Sequence, residues 1–271
     1  MSIITISRGS FSRGKEIAEK VAKQLNYENV SREILLEASD VFNIPEIKLF
    51  QAVHDAPSIL GRFTFGRQRY LAHVESALLD HLKRDNVVYH GLAGHFFVRG
   101  ISHVLKVRVI ADFEDRVKKK MEQEGAPRRE AVEDLKKDDQ ERRQWSLKLY
   151  GIDTWDPSLY DLVLHIHKLT TDDAAEIICH TAGLRQFRTT PQSQRAMDDL
   201  ALAARVKTRI VAKYPNSKVS ATAGDVLVHV EASETLEQKI LDDIECMARE
   251  VPGVSKVTLH LVPTTLVDGR L

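Results

Sequence analysis

The run Ile3-Ile4-Thr5-Ile6, the loop from Ser7 to Arg13 and the pair Gly14-Lys15 constrain the fold more than any other part of this chain. The β-branched run reads as a strand, and Gly9 and Gly14 bracket a tight turn. Apolar residues at 17, 18, 21, 22 and 25 then repeat with helical period. Strand, glycine loop and helix in that order supply the context a phosphate-binding loop requires. Consecutive loop N–H groups and the positive end of the helix dipole converge on one anion. Gly9, Ser10, Phe11, Ser12, Arg13, Gly14, Lys15 and Glu16 are therefore the candidate nucleotide-binding residues, with Lys15 as a point charge toward the outer phosphates. Glu16 stands where such a loop usually offers magnesium a serine or threonine hydroxyl, and Ile17 has none either. Ser10 and Ser12 either lend a hydroxyl to metal or satisfy turn amides.

The alternation continues through the first 183 residues. Runs dense in Val, Ile and Leu at 86–89, 104–110 and 160–166 read as strands buried on both faces, with a shorter one at 27–30. Helical patterns at 67–83, 114–124, 128–150 and 171–182 separate them, which predicts an α/β, doubly wound parallel sheet. Residues 184–195 are polar, contain Pro191 and show no period, and so read as a linker. A helix at 196–214, strands at 218–222 and 226–231, a helix at 234–250 and a strand at 255–262 follow. They form a small α+β unit of order αββαβ over 196–271, a second domain that a chain of 271 residues readily accommodates.

Charge and cysteine content narrow the function classes. Lys plus Arg equals Asp plus Glu at 39 each, so no global basic field draws nucleic acid or anionic lipid. Cys179 and Cys246, without a CxxC or a Cys/His cluster, suggest neither a disulfide framework nor a structural zinc site and suit a reducing cytoplasm. The amino terminus lacks the apolar core of a signal peptide. The most apolar long window, 86–105, carries His90, His95, Arg99 and His103, so no membrane span is expected.

Several single residues carry two readings. Asp112 ends an apolar strand, where it either orients magnesium through water or caps the next helix, capping being preferred. His90 either meets phosphate or is a structural histidine, the latter preferred. His165 and His167 share one strand face at a metal-ligating spacing, but the sequence shows no third ligand and no metal is assigned there. Trp155 either stacks on a base or plugs a corner, the corner being preferred. The aromatic and basic stretch from His54 to Arg67 reads as an acceptor lid or a protein contact.

The residues 4–9 (ITISRG), Glu16-Ile17-Ala18 and Asn29-Val30-Ser31-Arg32-Glu33 resemble the opening of the cytidylate kinase-like family of P-loop proteins. The segment 86–94 (NVVYHGLAG) and Val107-Arg108-Val109-Ile110-Ala111-Asp112, with Arg116 a turn later, are similar to its next strand ends. The segment 137–143 (KDDQERR), Tyr150-Gly151 and 156–163 (DPSLYDLV) resemble its lid and final strand. The resemblance spans about residues 1–183. It implies a nucleoside-monophosphate-kinase fold with a helical lid, ATP as donor and Mg2+ as companion ion. Carried over, Gly9, Gly14 and Lys15 would hold donor phosphates, and Arg142 and Arg143 would join Lys15 as catalytic groups around the moving phosphoryl. Ser31, Arg32 and Arg116 would bind the acceptor.

Beyond residue 196, Gly224-Asp225-Val226-Leu227-Val228, Ala232-Ser233 and 251–257 (VPGVSKV) resemble a BON domain, which implies a ligand, partner-protein or homo-oligomer contact. The leading expectation is a cytoplasmic kinase that phosphorylates a nucleoside monophosphate such as CMP. The alternative is a noncatalytic nucleotide sensor that signals through the carboxyl-terminal unit.

Overall fold

In a computed structural model of the chain, residues 2–31, 66–91, 94–232 and 237–263 are described. Arg32 and most of the aromatic and basic stretch beginning at His54 lie outside them. The first region runs β1 (Ile3–Arg8), α1 (Gly14–Leu25), β2 (Glu28–Val30), α2 (Gly66–Leu82), β3 (Val87–His90) and a one-turn α3 (Gly94–Phe97). It continues with β4 (Val104–Ala111), α4 (Phe113–Glu124), α5 (Arg128–Tyr150), β5 (Leu162–Ile166) and α6 (Thr171–Ala182).

The five strands are all parallel, in the order β2-β3-β1-β4-β5. This is the doubly wound α/β sheet expected from the alternating pattern. Side-chain alternation sends Ile3, Val87 and Val104 into a core shared with α2, α3 and the aromatic rings near Tyr150. Ile4, Ile6, Val88, Leu105, Val107 and Val109 point to the opposite core, closed by α1 and α6. Because β1 has β3 on one side and β4 on the other, the connections leave the centre of the sheet in opposite directions beside it. Such a switch point opens a crevice at the carboxyl end of β1, where the glycine loop begins.

The second region runs α7 (Pro191–Ile210), β6 (Lys218–Thr222), β7 (Asp225–Ala232), α8 (Glu237–Arg249) and β8 (Lys256–Pro263), the αββαβ order read from the sequence. β6 and β7 are antiparallel and β7 and β8 parallel. Ala223 and Gly224 both have positive φ, 51° and 89°, which closes the β6–β7 hairpin with the strand twist. At Gly224 a Cβ would lie 2.6 Å from Ser255 Oγ, so the turn also needs the missing side chain.

α7 begins earlier than its expected start at 196. Pro191 is its first residue, not a linker proline, and Thr190 and Ser193 form a reciprocal capping box. The stretch 184–195 thus holds one 3-10 turn, Arg185–Phe187, and the first turn of a helix. Met197, Ala201 and Ala204 then join the α2 core, whereas Leu202, Val206 and Ile210 join the core of the three-stranded sheet. Gln194 donates to the Lys83 carbonyl at 2.9 Å and Thr189 to Asp85 at 2.6 Å, so polar bonds edge the same junction.

Candidate phosphate-binding site

Gly14 is required by close approach: a Cβ there would lie 2.6 Å from Arg8 Cβ, so only glycine lets α1 start against the end of β1. Phe11 and Arg13 take left-handed conformations, φ 58° and 63°, which cost a non-glycine residue about 1 kcal/mol each. Left-handed residues alternating with Ser10, Ser12 and Gly14 are the backbone pattern from which anion nests are built, although the Ser12 N–H donates back to the Gly9 carbonyl at 3.5 Å. No side chain among the described residues caps α1, so its first N–H groups remain directed at the same space. A cleft of about 380 Å³ opens there, and Arg8, Arg13, Lys15 and Lys119 set four cations against Glu16 and Glu19 on its walls. Lys15 is largely exposed, with its ammonium 3.8 Å from Glu19.

The loop is fastened from behind. Arg116, 8% exposed, donates from Nε to the Ser10 carbonyl at 2.8 Å and grips both Asp139 oxygens at 2.8 Å. Ser10 Oγ donates to Asp138 at 3.0 Å, and Ser12 Oγ to the Gly9 carbonyl at 2.9 Å. Phe11 packs on the apolar seam between α4 and α5 formed by Val117, Ala131 and Leu135, and the Lys120 ammonium lies 5.4 Å from its ring centre. Of the sequence candidates, Ser12 and Phe11 therefore shape and anchor the loop. Arg116, expected at an acceptor phosphate, has its guanidinium engaged by Ser10 and Asp139. Ser31 follows β2, which β3 separates from β1, so the structure does not bring Ser31 and Arg116 together. Asp138 and Asp139 were visible as part of the lid segment, but nothing local showed that they reach the loop 128 residues away.

Glu16 lines the cleft, but its carboxylate is engaged by residues outside the loop. It accepts from Thr171 Oγ1 at 2.7 Å and lies 3.4 Å from Lys119 and 3.5 Å from Lys20. Burial alone would push its carboxyl up, but the Thr171 hydroxyl and the two ammoniums outweigh burial and hold it below the usual range. The oxygen pair nearest the loop is instead Ser10 Oγ with the Asp138 carboxylate. These are hard donors of the kind magnesium accepts beside substrate phosphates, so the residues present fit that ion without Glu16.

Arg143 makes a two-pronged pair with Asp153, with contacts from 2.6 to 3.2 Å, and its guanidinium lies 4.6 Å from the Trp155 ring centre. The Arg143 guanidinium holds the Asp153 carboxyl below its usual range. Trp155 is 52% exposed, so it does not plug the corner as expected; the cation covers one face of the ring. Arg142 lies on the same lid helix, half-buried. His90 is buried at the end of β3, in keeping with a structural role.

Asp112 departs from its expected capping role. It occupies the N-cap position of α4 yet makes no side-chain cap bond, a contact ordinarily worth about 1 kcal/mol. Its two oxygens instead meet His165 Nε2 and His167 Nδ1, each at 2.9 Å.

Among solved structures, an uncharacterized protein from Eubacterium ventriosum is 22% identical, with a TM-score of 0.50 over 68% of this chain and 100% of its own. Shikimate kinase from Acinetobacter baumannii, in complex with shikimate, is 11% identical, with a TM-score of 0.39 over 67% of this chain and 92% of its own. Dephospho-CoA kinase from Campylobacter jejuni is 12% identical, with a TM-score of 0.34 over 67% of this chain and 97% of its own. No curated protein matches the chain. The family model of the cytidylate kinase-like family matches residues 3–168, well over half the sequence and the whole of the five-stranded sheet with its loop and lid, and the chain belongs to that family.

Proposed function

We propose that this protein transfers the γ-phosphoryl group of ATP to a small acceptor, a nucleoside monophosphate such as CMP. The observation that carries the reading is the strained loop at the sheet's switch point, with α1 opening onto a cleft walled by Arg8, Arg13, Lys15 and Lys119. Phosphoryl transfer asks little covalent chemistry of a protein, so positioning and fixed cations supply most of the acceleration. The loop N–H groups and the α1 terminus would hold the donor phosphates, and Lys15 would exchange its weak contact with Glu19 for a phosphate oxygen. Arg116, fixed by Asp139, keeps the loop backbone in its anion-binding form. Magnesium, held by Ser10 and Asp138, would neutralise charge between the donor phosphates. Arg143 would leave Asp153 for the moving phosphoryl as the lid closes, beside Arg142. Ser31 and Arg32 would meet the acceptor.

The carboxyl-terminal unit, BON-like in sequence, supports a second reading. Since α7 belongs to both cores, nucleotide occupancy could be reported to that unit without turnover. ADP formation from MgATP with a panel of nucleoside monophosphates, run beside Lys15→Ala and a direct ATP titration, separates the two. Acceptor-stimulated turnover lost in the variant is the expected result. ATP binding with no turnover for any acceptor favours the sensor, and a wild-type chain that neither binds ATP nor turns it over overturns the phosphate-loop reading.

A further inference from the structure

Among the described residues outside the phosphate loop, a cluster brings metal-ligating groups from the start of α4 and the end of β5 together. β4 and β5 pair in parallel with Ile110 opposite His165 and Ala111 opposite Ile166, which sets Asp112 level with His167 just past the sheet. His165, on the exposed face of the edge strand β5, and His167, one residue past its end, are both exposed and flank the buried Ile166. Asp115, one turn into α4, lies 3.5 Å from His167 Nδ1, and one ligand atom each from Asp112, Asp115 and His167 all lie within 4.8 Å of one another. The second observation is the abandoned cap. A carboxylate ideally placed to satisfy the first turn of α4 turns both oxygens toward imidazole nitrogens instead.

We infer that Asp112, Asp115, His165 and His167 form a site for a divalent transition cation. Four ligands at about 2.0–2.2 Å in a tetrahedron stand about 3.4 Å apart; Asp112, Asp115 and His167 already converge to within 4.8 Å, and His165, 2.9 Å from Asp112, would complete the set by turning its ring toward them. Two imidazoles with two carboxylates match zinc, nickel or cobalt; magnesium prefers oxygen donors and keeps its waters. The ion would tie the edge strand to the start of α4, the helix whose Arg116 holds the loop. The sequence supplied the histidine pair, and the third and fourth ligands appear only through the β4–β5 register. The inference stands apart from phosphoryl transfer and does not require it.

The test is a zinc titration of the full chain after chelator dialysis, by calorimetry and by competition with a chromophoric chelator, with magnesium as comparator. Saturation at one zinc per chain, a raised melting temperature and no matching magnesium response are expected. His165→Ala with His167→Ala should weaken zinc by about 100-fold or more, since even outer-shell partners of a metal cost roughly 10–100-fold. Asp112→Asn should also weaken zinc while moving the zinc-free melting temperature little, because the Asp112 side chain is 45% exposed and its histidine contacts are surface pairs. A control is needed because His229 and His260 place their Nδ1 atoms 2.8 Å apart across β7 and β8. Undiminished zinc binding in the His165/His167 variant, or loss only on replacing His229 and His260, overturns the assignment, as does a wild-type chain that takes no zinc.

Discussion

The five-stranded and three-stranded regions bury different things. The first buries five histidines, His73, His81, His90, His95 and His103, together with Arg116, Lys120 and a series of serines and threonines. Among the buried polar residues described beyond residue 190 there are only Ser193, Thr208 and Ser217, each bonded to nearby backbone. The core of the three-stranded region is otherwise aliphatic, built from Leu202, Val206, Ile210, Val226, Val228, Val230, Ile240 and Ile244. Burying polar and charged groups costs stability unless each is paired, so a chain tolerates it where those groups do something. The buried ionisable groups thus lie in the first region, whereas the second, joined to it through α7, is held by aliphatic packing. Even the join carries charge: burial pushes Glu75 of α2 up to about 7, and pulls Lys207 of α7 down to about 8.

The largest effect is expected from cutting the chain after Gly183. An independent first region would survive. The structure predicts that it will not, because Met197, Ala201 and Ala204 leave its core, and truncating one buried Met to Ala already costs about 2–5 kcal/mol. Thermal unfolding and sedimentation should show a weakened, self-associating fragment, and a cut after Val211 should restore much of the loss. A fragment ending at Gly183 that melts like the full chain would separate the two regions.

Arg116→Met asks whether a buried ion pair sits where the comparison places function. Removing Arg116 leaves Asp139 uncompensated, and because that carboxylate is 24% exposed the cost falls below the roughly 3–5 kcal/mol of a fully buried pair, at about 2 kcal/mol. Hydrogen exchange should rise around the loop and α5 and stay unchanged in β6, β7 and β8. Equal loosening of both regions would contradict the assignment.

Acid should also distinguish them. Burial lowers His95 to about 3 and His73 to about 4, both below the unfolded value of 6.5. Their contribution is complete above pH 6.5 and is lost as pH falls toward those values, at about 1.4 kcal/mol per pH unit for each fully titrating group. Glu75, raised to about 7, acts in the opposite sense, because its burial penalty fades as pH falls from 7 toward 4.5. Two histidines against one carboxylate leave a net decline, steepest between about pH 4.5 and 4. His95→Phe retains the ring contacts with Phe96 and Tyr160, centred 4.1 and 4.8 Å away, and should flatten it. A pH profile of melting identical in wild type and variant would sink this account.

Local features were legible in the sequence and distant ones were not. The strand, glycine loop and α1 were readable because each depends on neighbours within a turn or two. Pro191 misled because a proline opens a helix as readily as it breaks one, and only its partners Thr190 and Ser193 decide. The Ser10–Asp138 and Arg116–Asp139 contacts depend on how the α4–α5 hairpin folds over the loop, and Asp112 meets its histidines only through strand register. Spacing along a chain carries none of that information. Phe11 was legible as a loop residue, but its place on the α4–α5 seam was not.

The smallest stability effect belongs to the residue expected to matter most for binding. Lys15 is mostly exposed, and its 3.8 Å contact with Glu19 is the kind of surface pair that contributes about 0–1 kcal/mol. Lys15→Ala should therefore leave both regions melting within about a degree of wild type while ATP affinity falls about tenfold or more, the loss expected of a charge-assisted phosphate contact. The pairing of these two readouts makes the comparison sharp. In the three-stranded region an exposed lysine such as Lys256 should change neither, whereas in the loop stability and function come apart at a single side chain. If Lys15→Ala lowered stability and affinity in proportion, the lysine would be holding the loop together, and the cleft would owe its anion preference to the backbone and Arg13 instead.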